Sequence, residues 1–174
     1  MEKEVEKKVI FRGNILSVEK YRVRLIDNTI ASREVARFSG AVAVVLFNGN
    51  KIVLVEQFRF PMGKRVLEIP AGRLENEDPL HCAIREVKEE TGYSCKNIEK
   101  LTKIFTSPGF SDEVIHIFKA DVKDHGEPQP DPGEFVEVME LSVEECLKKI
   151  YTGEIKDSKT IAGILFAVKL KEGD

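Results

Sequence analysis

Arg85 to Tyr93 reads REVKEETGY and holds Glu86, Glu89 and Glu90 within about one and a half helical turns. Residues four apart on a helix are neighbours, so Glu86 and Glu90 stand side by side, with Glu89 adjoining the same edge. Carboxylates at that spacing raise one another's pKa and cost stability unless a cation compensates. Glu75, Glu77 and Asp78 add more negative charge just upstream, directly after a strand and sharp turn, EIPAG, at Glu68–Gly72. A glutamate-rich helix usually just faces water, and Arg85 can reach Glu89 one turn on. Against a glycine turn that brings backbone carbonyls close, the crowding points instead to a hard divalent ion such as Mg2+. That ion takes oxygen ligands, keeps several waters and is commonly shared with a substrate phosphate.

The elements that must position these residues are legible. Asp78 is an N-cap, Pro79 suits the first helical position, and Gly92 supplies the stop. Leu80, Ala83, Ile84, Val87 and Thr91 recur at helical spacing and are expected to form the core face. Upstream, AVAVVLF and KIVLVEQF flank an Asn-Gly turn and predict a hairpin of buried strands, followed by a strand in RVLEIPAG. Further strands are expected near NIEKLTKIFTS, VIHIFKAD and EFVEVMELS, with an exposed Pro- and Gly-rich loop, DHGEPQPDPG, before the last. Helices near VEECLKKIY and SKTIAGILFAVKL close the chain, and alternating runs within the first forty residues predict an N-terminal β arm. A mixed sheet with helices packed on it satisfies this order.

With 174 residues, 42% hydrophobic and 33% charged, the chain can bury one domain's core. A net charge of −3 without a basic stripe argues against nucleic-acid binding. The apolar runs are too short to span a bilayer, and the start MEKEVEKK lacks the apolar segment of a signal peptide. Three cysteines without metal-type spacing read as free thiols of a cytoplasmic protein.

The stretch GRLENEDPLHCAIREVKEETGY resembles the Nudix box, Gly-x5-Glu-x7-Arg-Glu-U-x-Glu-Glu-x-Gly-U, where U is bulky and apolar. Arg85, Glu86, Val87, Glu89, Glu90, Gly92 and Tyr93 match throughout, and Glu77 stands eight residues before Arg85 as required. Four residues rather than five separate Gly72 from Glu77, which leaves the role of Glu77 open. SPGFSDE (Ser107–Glu113), VEQFR, EIPAG and the N-terminal strands are similar to the ADP-ribose pyrophosphatase subgroup, so the resemblance runs from about Lys8 to Leu170.

The resemblance implies an α/β (α+β) fold, a Nudix-type α/β/α sandwich around a mixed β-sheet. An N-terminal antiparallel β arm over residues 1–40 would lie at a dimer interface, with the hydrolase domain over 41–174. It implies Glu86 and Glu90 as principal Mg2+ ligands, Glu89 as a further ligand, the Ala71 carbonyl as a backbone ligand and Arg85 as their structural partner; Mn2+ can take the place of Mg2+. Arg59 would meet the diphosphate or adenine end of the substrate. Arg37 and Glu113 would contact substrate across a homodimer, Phe110 would line the pocket, and Glu134 or Asp131 would be the loop acid. Read alone, Arg37 and Arg59 are ordinary strand-edge arginines, Glu113 caps a turn, Phe110 is core and Glu134 is solvated. The implied activity is Mg2+-dependent hydrolysis of ADP-ribose to AMP and ribose 5-phosphate. Its rivals are the same chemistry on a GDP- or UDP-sugar, and a nucleotide-sensing module that does not hydrolyse.

Overall fold

The apolar run at the chain's centre becomes β4 (Ala41–Asn48), and its side chains alternate between two cores. Ala43, Val45 and Phe47 enter one cluster with Ile52, Leu54, Ile69, Ile117, Cys146, Ile164 and Ala167. Val42, Val44 and Leu46 enter the other with Val53, Cys82, Ala83, Val87 and Phe118. A strand reads as continuously apolar when both of its faces are covered, and here helices cover both. This computed structural model describes residues 1–129, 133 and 135–172.

The chain divides into two compact units, Ala41–Ile104 with Ile115–Asp174, and Met1–Gly40 with Phe105–Val114. In the larger unit, β4 is followed by β5 (Lys51–Arg59), a short 3-10 turn (Phe60–Met62), β6 (Lys64–Glu68), β7 (Ala71–Arg73) and α1 (Pro79–Thr91). Then come β8 (Ser94–Phe105), β9 (Val114–Asp124), β10 (Val136–Ser142), α2 (Val143–Tyr151) and α3 (Ser158–Glu172). The sheet order is β10-β5-β4-β9-β8, with β6 paired to β5 and β7 to β4. Only β4 and β9 pair in parallel among the registers described, Val42 opposite His116 and Val44 opposite Phe118. The sheet is therefore mixed, as expected, and α1 lies on one face while α2 and α3 lie on the other.

The smaller unit is a three-stranded antiparallel sheet in the order β1 (Lys3–Arg12), β2 (Ser17–Arg24), β3 (Ile30–Arg37). Strand β2 alternates strictly, with Glu19, Tyr21 and Val23 buried and Lys20, Arg22 and Arg24 exposed. The Ser107–Glu113 segment forms a turn, its Ser107 carbonyl accepting from Phe110 and Ser111, and is pinned to β3 where Ala36 N donates to the Phe110 carbonyl at 2.8 Å.

Candidate active site

Asp78 caps α1 by accepting from Leu80 N at 2.9 Å and from His81 N, and Gly92 ends the helix in the left-handed region. The buried stripe comprises Cys82, Ala83, Val87, Glu90 and Thr91. This corrects the expected core face: Ile84 is 41% exposed and Leu80 37%, both at the stripe's edge. The helix is rotated toward Cys82 and Glu90, and a carboxylate lies where a simple periodicity count puts solvent. A buried carboxylate must have a hydrogen-bond donor, and Ala71 N donates to Glu90 Oε2 at 2.9 Å. The thiol of Cys82, on the same stripe, is pushed up to about 12 by burial.

The β6–β7 turn and the start of β7 form a wall against this helix. A Cβ at Gly72 would lie 1.9 Å from Glu86 Cδ and 2.0 and 2.2 Å from its carboxylate oxygens. Only a residue without a side chain leaves that carboxylate its place. On the other side, Arg85 gathers the cluster. Its guanidinium donates to Glu89 Oε2 at 2.7 Å, lies 2.9 Å from Glu86 Oε1 and donates to Glu77 Oε1 at 2.6 Å. Despite the shorter loop Glu77 reaches Arg85, whose hydrogen bond holds its carboxyl below the usual range. Arg85 is in turn raised above the ordinary arginine value by the same bond.

Arg85 at close range, and Arg59 acting on Glu90, face the four carboxylates of Glu77, Glu86, Glu89 and Glu90 in a partly buried place. Among the described residues, no three acidic, histidine or cysteine side chains already converge on one point suited to an ion. The donor set is nonetheless of one kind, carboxylates with a neighbouring peptide carbonyl and a glycine cradle. These hard oxygens fit a divalent cation and would not suit a soft one.

Arg59, expected at the substrate's diphosphate, makes a bidentate pair with Glu68, at 2.6 and 2.7 Å. Glu68 is 2% exposed and is also bonded by Lys159, which lies 3.1 Å from Asp157. Sequence reasoning did not single out Glu68, Lys159 or Asp157; the available signal was a glutamate inside the apolar run VLEIP. Burial pushes the Glu68 carboxyl up, but Arg59 and Lys159 outweigh it and leave it below the usual range. Glu68→Ala removes the carboxylate shared by half-exposed Arg59 and buried Lys159, which keeps Asp157, and is expected to cost about 3 kcal/mol, read from the urea midpoint at unchanged m. Because the folded pKa is depressed, the carboxylate's contribution is complete above the ordinary glutamate pKa and is lost as pH falls through the lowered folded value. The gap between wild type and variant should accordingly close in acid.

Within the smaller unit, Arg37 donates to Glu19 at 2.8 Å, to the Tyr21 hydroxyl at 2.7 Å and to Asp112 at 3.0 Å. Lys7, Tyr21 and Arg37 together hold the Glu19 carboxyl down at about 2. Phe110 is not core, at 61% exposed. Glu113 is half-buried and its N–H donates to Ser111 Oγ at 3.1 Å; among the described residues its carboxylate has no ion-pair partner.

Glu134 and Asp131 lie outside the described residues. The chain leading toward them was not foreseen as a strap. Gln129 N donates to the Glu89 carbonyl at 2.8 Å, and the His125 ring meets Tyr93 edge-on at 4.6 Å. A Cβ at Gly92 would stand 2.4 Å from the Gly126 carbonyl oxygen, so this glycine serves the crossing as well as the helix stop.

Comparison with known proteins agrees with this geometry. The Nudix domain matches residues 37–162. An ADP-ribose pyrophosphatase of Bacillus subtilis is 41% identical over 98% of this chain and 94% of its own. A methanol dehydrogenase activator of Bacillus methanolicus is 43% identical over 95% of this chain and 91% of its own. A GDP-mannose pyrophosphatase of Yersinia enterocolitica is 35% identical over 88% of each. With a box helix whose glutamates are gathered by Arg85 against a glycine turn, and with relatives aligned along nearly all of its length, the chain belongs to the Nudix hydrolase family.

Proposed function

We propose that the protein hydrolyses the pyrophosphate bond of ADP-ribose, giving AMP and ribose 5-phosphate, with Mg2+ as the working ion and Mn2+ able to replace it. Nudix hydrolases work with divalent metal ions. The observation that carries the chemistry is the placement of Glu86 and Glu90 against Ala71 and Gly72 at the start of β7. The substrate choice is supported by the full-length similarity to an ADP-ribose pyrophosphatase. The GDP-mannose pyrophosphatase relative favours a second reading, the same reaction on another nucleoside diphosphate sugar.

Glu86, Glu90 and Glu89, with the Ala71 carbonyl, would hold the cation. Bound there, it offsets the diphosphate's charge and lowers the pKa of a bound water. Arg85 holds the glutamates in register, and the Ala71 N–H fixes the Glu90 carboxylate. Glu134 or Asp131 accepts the proton of the attacking water. Arg37 and Glu113 meet the substrate from the partner subunit and Phe110 lines the pocket, with residues 1–40 as the arm at the dimer interface and 41–174 as the catalytic domain. Exposed Val5, Ile10 and Phe11 on β1 support a covered arm, and sedimentation should give an active species of twice the 19.7 kDa chain mass. An active monomer would refute that assembly. No described helix is long and apolar enough to cross a membrane, and three free cysteines support a cytoplasmic setting.

A panel of ADP-ribose, GDP-mannose, UDP-glucose and a nucleoside triphosphate, each with Mg2+, tests the reading. ADP-ribose should show the highest kcat/KM. Glu113→Gln should lower ADP-ribose use by about tenfold, the worth of a charge-assisted hydrogen bond to a ribose hydroxyl, and triphosphate cleavage less. GDP-mannose as the better substrate, or an equal loss on every substrate, would reject the ADP-ribose assignment.

A further inference from the structure

The wall that receives Glu86 and Glu90 is a turn, and what fixes that turn lies outside the box. Just before it, Ile69 N donates to Thr160 Oγ1 at 2.9 Å, and the Pro70 carbonyl accepts from Val44 N at 2.9 Å. Ile69 and Thr160 are both fully buried, and they are 91 residues apart in the chain. The Thr160 hydroxyl uses both of its capacities, since it also donates to Asp157 Oδ2 at 2.6 Å. Asp157 accepts from Thr160 N at 2.9 Å and pairs with Lys159, which reaches Glu68. The first turn of α3 therefore grips the chain at Glu68 and at Ile69. Two residues beyond Ile69, Ala71 N donates to Glu90.

We propose that Thr160, oriented by Asp157, is a positioning residue for the metal-binding carboxylates. It fixes the height of the Ile69–Pro70 turn and of the start of β7, and the Ala71 N–H transmits that position to Glu90. The inference rests on the reading of Glu86 and Glu90 as cation ligands. A side chain here must accept from Ile69 N and donate to Asp157 at once. Serine keeps both functions; valine has the shape and neither function, and leaves a buried N–H without a partner. The turn would then shift to find one, taking the Ala71 N–H with it.

The experiment compares wild type, Thr160→Val and Thr160→Ser by Mn2+ titration followed through the free-ion paramagnetic resonance signal without substrate, by kcat and KM, and by thermal midpoint. Thr160→Val should weaken Mn2+ binding by about tenfold, the scale seen when a partner outside the ligand set is removed. Its kcat should fall with KM for ADP-ribose little changed, and Thr160→Ser should retain wild-type Mn2+ affinity. A Thr160→Val protein that melts earlier but binds Mn2+ as the wild type does would overturn the proposal and leave a structural threonine. Should that variant not fold, Asp157→Asn removes the charge that orients the hydroxyl and should weaken Mn2+ binding in the same direction; unaltered affinity there overturns the proposal equally. A wild type that binds Mn2+ but spares ADP-ribose refutes the substrate reading alone, because the titration still separates the variants. A wild type that binds no Mn2+ overturns this proposal together with the ligand assignment.

Discussion

Glu90→Gln is expected to lower kcat by roughly 10³-fold or more, the scale of losing one preorganised charge in a reaction site, while the protein stays folded. The two halves of that expectation have separate physical sources. Glu90 is 5% exposed, and its carboxylate accepts from the Ala71 N–H and acts electrostatically on Arg59. A glutamine keeps an oxygen to accept from Ala71 N, so the buried donor remains satisfied. It also removes one negative charge from the cluster of Glu77, Glu86, Glu89 and Glu90, which relieves repulsion in metal-free buffer. Thermal unfolding without metal should therefore show an unchanged or higher midpoint. Added Mg2+ should raise the wild-type midpoint by mass action and raise that of the variant much less. Normal Mg2+-dependent turnover in the variant would refute the assignment of Glu90 as a ligand.

Local patterning made α1, its Asp78 cap, its Gly92 stop and the two-faced strand β4 legible, because each follows from residues within one or two turns or along one strand. The box glutamates were legible for the same reason, as was the Arg85–Glu89 pair. The rotation of α1 was not. Periodicity scores Ile84 as core and Glu90 as surface, and only the donor at Ala71, supplied by another element, makes a buried Glu90 tolerable. Arg59 shows the same limit. Its identity suits a diphosphate, but its partner Glu68 stands four residues along β6 from Lys64, the residue opposite Arg59, so neither local spacing nor strand register announces the pair. Lys159 and Thr160 meet Glu68 and Ile69 across 91 residues, where no local spacing rule reaches. Gly126 is similar, since its closeness to Gly92 follows from a loop crossing a helix end.

Gly72, on β7 just after the turn, separates the requirements of folding from those of chemistry. Gly72→Ala would place a methyl group 1.9 Å from Glu86 Cδ, inside any permitted contact. What must yield is the far end of a flexible glutamate, not backbone, so the chain can accept the methyl by rotating Glu86 away. Stability should change by no more than about 1 kcal/mol, the size of an ordinary substitution. Glu86 is, however, paired to Arg85 at 2.9 Å and sits beside Glu90, so its rotation disperses the carboxylates that the turn and Arg85 bring together. Misplacing a reacting or metal-binding group by about 1 Å costs on the order of 10²-fold in rate. Gly72→Ala should therefore lose about two orders of magnitude in kcat and need more Mg2+ for half-maximal rate, with a denaturation midpoint close to that of the wild type. Glu86→Asp in the same background shortens the side chain by one methylene and makes room for the methyl, so it should recover part of the lost rate although Glu86→Asp alone lowers activity. If Gly72→Ala is as active as wild type, or if it loses activity only because it unfolds, the carboxylate at Glu86 does not depend on the cradle.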